Sequence, residues 1–519
     1  MGGKKQGGKV MYKRKSNYER IKEVMEEQEL SGDVYQEEMD IIRRARAAYP
    51  AMPVAAVQQA LAELADNAEV IHNGTTYAIT ATAHAERQLG RMLAGYIRSP
   101  RVRSPDDLPT KLAEVEADLQ VSLSPSQREA VLGVVGGRMG IITGGPGAGK
   151  TTVLRALCGL YEATHKDKEI VLMAPTGRAA HRMAQQTGHK ATTIHSVIYT
   201  GMGLATYEPG EFAPGLVVID EASMLHVQLA ADLLRALDPA TQVILVGDTY
   251  QLPPVGPGQV LADAIECGLP VYQLTDNFRQ KSGSLLADNL ERVRYGDNNL
   301  TYGDDLHLME TSSDTDTEAL TAAIYSAMLQ EGRDVQILSP IGKAGGICSC
   351  KALNATLRDW CNPPAPEKLE VTIGDRTYRV GDRVVQQHNT PQARNGDTGT
   401  VERIIGDDTP CIGIHFDGEG DVVYYDITQV ERDDLLNHAY AVTVHKSQGS
   451  EYDWVVVPLA QAHTRSWCSN MIYTAMTRAK KGVILIGNRD ILMEAIHSPC
   501  PPRATKLLDE IHRNLDLAA

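Results

Sequence analysis

The sequence predicts an α/β protein built on two parallel sheets, with a small β-barrel inserted in the second and a helical, winged-helix-like region in front. Three observations carry that prediction. From about Leu123 onward, short apolar runs alternate with amphipathic stretches, the pattern of parallel α/β units. A glycine-rich loop, GGPGAGKT (144–151), joins the first of those runs to a helical stretch. Between 381 and 435 the alternation gives way to short β segments and turns, GDRVVQQ, NGDTGTVERII, CIGIHF and DVVYYDI.

Taken in order, residues 1–15 carry six Lys or Arg and no acid among glycines, which reads as a disordered solubilising tail or a nonspecific DNA-tethering arm. Residues 17–48 read as helices with Ile21, Val24, Met25, Ile41 and Ile42 as their apolar positions. VAAVQQALAELADNAEVI (54–71) reads as a further helix and NGTTYAI (73–79) as a turn and β-prone run. Helices followed by a short hairpin suggest a winged-helix unit, which serves either as a DNA binder or as a packing module. A helix over 83–98 and the linker SPRVRSPDDLP (99–109) complete this region.

The predicted strands of the two sheets are MGIIT (139–143), EIVLMA (169–174), LVVID (216–220), QVILVG (242–247), VQILSP (335–340), WVVVPL (454–459) and GVILIG (482–487). The expected division is 1–15 tail, 16–122 N-terminal region and linker, 123–278 first α/β domain, 279–380 with 436–519 second α/β domain, and 381–435 barrel insert.

At 519 residues the chain suits about three or four compact units. Its 43% apolar and 23% charged residues are those of a soluble globular protein. A net charge of −15 argues against a surface coated for nucleic acid but permits a local basic groove. With no run of eighteen apolar residues and no signal-peptide core, a cytoplasmic location without membrane contact is expected. The eight cysteines lack zinc spacing, Cys348 and Cys350 being the one close pair, and read as reduced structural thiols.

GGPGAGKT satisfies GxxxxGK[ST] in the required strand–loop–helix setting. Gly145, Pro146, Gly147, Ala148 and Gly149 would let backbone amides wrap phosphates at a helix start that Thr152 continues. Lys150 would reach the β- and γ-phosphates, and Thr151 would ligate Mg²⁺. About seventy residues on, LVVIDEAS ends a strand in two carboxylates, with Asp220 assigned to the metal and Glu221 to the attacking water. That pair marks hydrolysis of ATP or another NTP. Asp248 and Gln251 in GDTYQLPPV follow another buried strand and would face the same phosphate cleft. Gln127, just ahead of the P-loop strand, has an amide able to read both edges of adenine.

The ordered set LSPSQ, GGPGAGKTT, APTGRAA, TTIHS, VVIDEASM, VGDTYQLPPV, LTDNFRQ, VHKSQGSE and YTAMTRAKK resembles superfamily 1 helicases, and in detail the RecD-like branch, the exonuclease V alpha-subunit type. The resemblance covers roughly residues 120–490. It implies two RecA-like motor domains with ATP and Mg²⁺ between them, an SH3-like barrel in the 381–435 interval, and 5′-to-3′ movement on single-stranded DNA. It gives Arg279 and Arg478 to the γ-phosphate and Glu451 to the nucleotide sugar. Thr176, Arg178, His195, Asn354 and Asn395 become DNA contacts, joined by His445, Ser447 and Gln448 in the turn before Glu451. Segment 198–214 takes the place of the family's strand-splitting hairpin, and is brief.

The reading that follows is a monomeric ATP-dependent DNA helicase of repair, recombination or replication. Its expected partners are single-stranded DNA, forks, and single-strand-binding or recombination proteins. The alternative keeps a DNA-stimulated ATPase that translocates or remodels with little unwinding. An RNA helicase and a DNA-binding assembly subunit are the other readings.

Overall fold

The computed structural model describes residues 15–99, 107–276, 284–342, 346–406, 410–418 and 420–517. The basic tail through residue 14 and Arg279 lie outside them.

The first parallel sheet has six strands. Its centre is made of Ile170–Ala174, Leu216–Ile219, Gln242–Gly247 and Met139–Gly144, in that spatial order. These are near-continuous runs of Val, Ile and Leu, as required of strands covered on both faces by helices. The two edges, Ala191–Thr193 and Val271–Leu274, were not among the predicted strands. Both are short and partly exposed, so neither carries an apolar run long enough to signal a strand. The second sheet has five parallel strands, with Leu306–Glu310 at one edge and Ala441–Thr443 at the other. Its centre is Ala479–Gly487, Tyr452–Leu459 and Val335–Ser339. In both sheets the polar motifs follow the carboxyl ends of strands, where α/β proteins bind ligands.

The insert is an antiparallel five-stranded sheet around Val384, Val401, Ile412, Ile414, Phe416 and Tyr425. Its last strand, Leu436–His438, pairs with Arg383–Gln386, so the sheet reaches past the expected boundary at 435. A ribbon of Glu370–Ile373 and Arg376–Arg379 precedes it.

The N-terminal region runs helix Asn17–Leu30, strand Gln36–Glu37, helices Glu38–Ala48 and Val54–Asp66, then hairpin Val70–Asn73 and Thr76–Ile79. The first strand pairs with the last, which is winged-helix topology. The third helix ends at Asp66, short of the expected 71, because Val70 and Ile71 enter the hairpin. Its exposed face carries Gln58, Gln59, Glu63 and Asp66 and no Lys or Arg. A helix of that charge cannot neutralise phosphates, which favours the packing-module reading.

Two expectations for the C-terminal part need correction. Residues 507–516 do not pack on the second sheet. Helix Leu507–Asp516 returns to helix Thr80–Arg98, with Leu507 and Ile511 fully buried beside Leu89 and Leu93. Burial of those two C-terminal side chains stabilises the return by roughly 3–6 kcal/mol. On the way, Arg503 donates to the carbonyls of Pro254, Gly256 and Gly258 at 2.6–2.8 Å, clamping the loop after GDTYQLPPV. The cysteines are not all reduced either. Cys468 and Cys500 are bonded, their Cα atoms 5.3 Å apart, and the other six are free thiols. Segment 198–214 opens with a minimal hairpin, one antiparallel bridge between Tyr199 and Ala205 with the Thr206 N–H on the Ile198 carbonyl at 2.8 Å. A tight turn brings the Thr200 amide to the Leu204 carbonyl at 2.7 Å, leaving Met202 and Leu204 exposed at its tip.

Among the described residues no helix is long and apolar enough to cross a membrane, and no group of three or more His, Cys, Asp or Glu could hold a metal ion.

Candidate nucleotide and nucleic-acid sites

The loop between strand Met139–Gly144 and helix Lys150–Thr164 turns through Gly147 and Gly149, both at φ 77°. Side chains other than glycine strain at such angles, so the motif's glycines there are a backbone requirement. Lys150 Nζ folds back into the loop, donating to the Gly144 carbonyl at 2.6 Å and the Gly145 carbonyl at 3.3 Å. Thr151 Oγ1 donates to Gln186 at 3.0 Å.

A cavity of about 340 Å³ opens over this loop, lined by Gly145 to Thr151, Arg182, Asp220, Glu221, Gln251, Glu451 and Arg478 among others. Asp220 follows strand Leu216–Ile219, and its carboxylate accepts the Glu221 N–H at 2.8 Å. Burial, then the Glu221 charge, push the Asp220 acid up to about 6, while Lys150 and Arg182 pull it down. Glu221 sits at φ 52°, which costs a non-glycine residue about 1–2 kcal/mol and fixes its side chain where the chain enters the turn Ala222–Met224.

The other wall comes from the second sheet. Arg478, 3% exposed, donates to Gln251 Oε1 at 3.1 Å and to the carbonyls of Ser450 and Thr474 at 3.3 Å each. Burial lowers its pKa, and the Glu221 charge opposes that shift. Arg182, on helix Gly177–Thr187, donates to Glu451 Oε1 at 2.5 Å across the cleft. Further bonds hold the halves together, among them Asn470 Nδ2 to the Tyr250 carbonyl at 3.2 Å. Tyr473 OH donates to Asp248 at 2.9 Å, the Leu252 N–H to Thr474 Oγ1 at 2.8 Å, and Gln448 Nε2 to the Leu252 carbonyl at 3.2 Å.

Three expected nucleotide residues stand outside this cavity. Gln127 is 2% exposed, its amide donating to the Ala148 carbonyl at 3.0 Å while its oxygen accepts the Ser124 N–H in a capping box. It braces the loop and has no free edge for adenine. Asp248 is 2% exposed and engages Tyr473. Thr152 lies along the helix, away from the cavity.

A second cleft of about 450 Å³ lies between the first sheet and the insert. It brings together Thr176, Arg178, His195, Asn395, His445 and Gln448, all expected there, with Thr193, Asn389 and Lys446, which sequence reasoning missed. Thr176 caps an eleven-residue helix, Gly177–Thr187, whose first residues, Gly177 and Arg178, line the cleft. The lining contains Arg178 and Lys446 and no Asp or Glu, in a chain of net charge −15. Burial depresses both His195 and His445, so near neutral pH they are uncharged and offer one donor and one acceptor each. Amides, hydroxyls and two cations suit a polyanionic backbone without reading bases. Arg178 also donates to Thr398 of the insert at 3.4 Å, and Arg394 of the insert to the Gly177 carbonyl at 3.3 Å.

Ser447 and Asn354 do not reach that cleft. Ser447 is fully buried, its hydroxyl donating to the Val444 carbonyl at 2.7 Å to close the turn. Asn354 is 7% exposed and cross-links to the edge strand, donating to the His438 and Ala441 carbonyls and accepting the Ala441 N–H. It sits on the wall of a separate groove of about 440 Å³ that shares Lys446 with the cleft.

Comparison with known proteins agrees with this anatomy. Residues 122–313 match an AAA domain model, 353–416 the SH3 domain of ATP-dependent RecD-like DNA helicases, and 438–486 the UvrD-like helicase C-terminal domain. The chain is 33% identical over 396 residues to an ATP-dependent RecD2 DNA helicase of Deinococcus radiodurans, covering 75% of this chain and 52% of the relative. It therefore spans about half of that relative's length. It is 28% identical over 409 residues to the RecBCD enzyme subunit RecD of Mycolicibacterium smegmatis, covering 70% of each. Similar solved structures include Pif1 helicases from a study of unwinding at forked duplex DNA, at TM-score 0.48, 18% identity and coverage of 77% of this chain and 98% of that one. Another is the Pif1 helicase of Candida albicans, at TM-score 0.46, 19% identity and coverage of 77% and 100%.

Proposed function

Because this chain belongs to the RecD-like branch of superfamily 1, we propose that it is an ATP-dependent DNA helicase that moves 5′-to-3′ on single-stranded DNA and separates duplex. One observation carries the motor reading: two elements, one from each α/β half, line both cavities. Helix Gly177–Thr187 offers Arg178 to the acid-free cleft and Arg182 to the nucleotide cavity. The turn 445–451 offers His445, Lys446 and Gln448 to the first and Gly449 and Glu451 to the second. A change of position at one site is therefore a change at the other, as coupling between two ligands requires.

In this reading the loop amides and Lys150 hold the triphosphate, Glu221 orients and accepts a proton from the attacking water, and Arg478 neutralises charge that develops on the γ-phosphate. Arg279 joins Arg478 by family likeness. Thr151 and Asp220 offer a hydroxyl and a carboxylate, hard oxygen donors that suit Mg²⁺, which would supply charge neutralisation on the phosphates. Gln251, bonded to Arg478, carries the state of the phosphate site into the loop that Arg503 clamps. Binding of ATP draws the halves together, hydrolysis relaxes them, and unequal grip on the strand turns that cycle into steps. Single-stranded DNA and forks are the partners, and repair, recombination or replication the setting.

Arg178→Ala and Lys446→Ala are each expected to weaken single-stranded DNA binding and to flatten the slope of log affinity against log salt by about 0.7. Fluorescence anisotropy with a labelled oligonucleotide across a salt series checks both. Unchanged slopes would move the strand elsewhere. ATP hydrolysis is expected to rise severalfold or more with single-stranded DNA and less with RNA; equal stimulation would favour the RNA-helicase reading. The brevity of segment 198–214 supports a second reading, a translocase that strips proteins with little unwinding. DNA-stimulated hydrolysis without strand separation distinguishes it.

A further inference from the structure

We propose that Arg182 is a further arginine of the nucleotide site, held on Glu451 across the domain cleft, and that a nucleoside triphosphate competes for it where a diphosphate does not. The inference rests on the reading of the 340 Å³ cavity as an ATP site. Arg182 comes from the first α/β half and Glu451 from the second, 269 residues apart, and their 2.5 Å contact is an ion pair across the cavity mouth. The side chains are 31% and 13% exposed, so the pair is partly shielded from water.

The cavity wall carries three cations, Lys150, Arg182 and Arg478, and three acids, Asp220, Glu221 and Glu451. Lys150 and Arg478 are already aimed by uncharged acceptors, the loop carbonyls for one and Gln251 with two carbonyls for the other. Arg182 alone of the three is bonded to a carboxylate. A terminal phosphate bearing close to two charges is a stronger bidentate acceptor for a guanidinium than one carboxylate oxygen. A diphosphate, which lacks the terminal group, leaves the arginine on Glu451. Because the start of the same helix lines the acid-free cleft, the exchange would report the triphosphate to that cleft.

The test is binding of a fluorescent non-hydrolysable ATP analogue and of fluorescent ADP to the full chain without DNA, in wild type, Arg182→Ala and Glu451→Gln. Arg182→Ala is expected to lose about tenfold in analogue affinity and less than about twofold in ADP affinity. Glu451→Gln, which removes the competing charge, is expected to raise the analogue-to-ADP preference. Arg182→Lys keeps the charge without the fork and covers an alanine variant that does not fold, with an expected loss of about threefold in the analogue alone. An unchanged preference in the Arg182 variants, or equal losses for both nucleotides, overturns the inference and leaves a static domain tie. A wild-type chain that binds neither nucleotide overturns the ATP-site reading and the inference together.

Discussion

Replacing Lys150 with alanine is expected to lower ATP hydrolysis by about a thousandfold while leaving single-stranded DNA binding within about twofold of wild type. Lys150 is the one lysine on the wall of the nucleotide cavity, and Gly144 and Gly145 hold its ammonium over the loop. No other side chain of the first half brings a positive charge to the phosphates from within the loop. Truncation removes that charge where the transferred phosphoryl group becomes most negative. It does not touch the second cleft, whose cations are Arg178 and Lys446. Phosphate release at saturating ATP, paired with oligonucleotide anisotropy, separates the two effects. Near-normal hydrolysis would remove the loop from the mechanism; lost DNA binding would mean that the variant disturbs the fold.

Arg478→Ala carries the second large effect. Hydrolysis is expected to fall by about 10³-fold, the scale of an arginine that stabilises phosphoryl transfer from a second domain. A stability cost accompanies it, because Gln251 and the carbonyls of Ser450 and Thr474 lose their donor inside the protein. Each buried acceptor left without a partner costs about 1–3 kcal/mol, so a lowered thermal midpoint is expected as well. Arg478→Lys should recover little of the rate, since one ammonium with three N–H donors cannot satisfy the four acceptors, Thr477 Oγ1 among them, spread around a planar fork. Hydrolysis, nucleotide binding and thermal unfolding measured on both variants check this. Full activity in the lysine variant would mean that charge alone suffices and that the donor geometry has no role in catalysis.

The parts of this anatomy that were legible in the sequence are those with a local signature. The P-loop is a fixed spacing between a strand and a helix, and the central strands are apolar runs with nothing polar to dilute them. Edge strands were not legible, because Ala191–Thr193 and Leu306–Glu310 are half-covered and lack such a run. Side-chain direction was harder still. Gln127, Asp248, Ser447 and Asn354 are polar residues beside the right motifs, yet each spends its hydrogen bonds inside the protein. Sequence places a residue near a site; only the partners available around it decide which way it turns. Arg182 and Lys446 were missed for the complementary reason. Arg182 is a plain cation just beyond APTGRAA and Lys446 one inside VHKSQGSE, and the position of each on a cavity wall depends on a second domain hundreds of residues away in one case and on the barrel insert in the other. The return of Leu507–Asp516 to the N-terminal region is likewise a long-range event, and the amphipathic pattern alone did not name its partner.

The most direct test of an ATP-driven, directional motor is strand separation on two duplexes that differ only in carrying a 5′ or a 3′ single-stranded tail, with wild type and Lys150→Ala side by side. Unwinding of the 5′-tailed duplex by wild type, dependent on ATP and absent in Lys150→Ala, is the predicted result. Unwinding only from the 3′ tail would contradict the direction, and unwinding that persists in Lys150→Ala would contradict the motor itself.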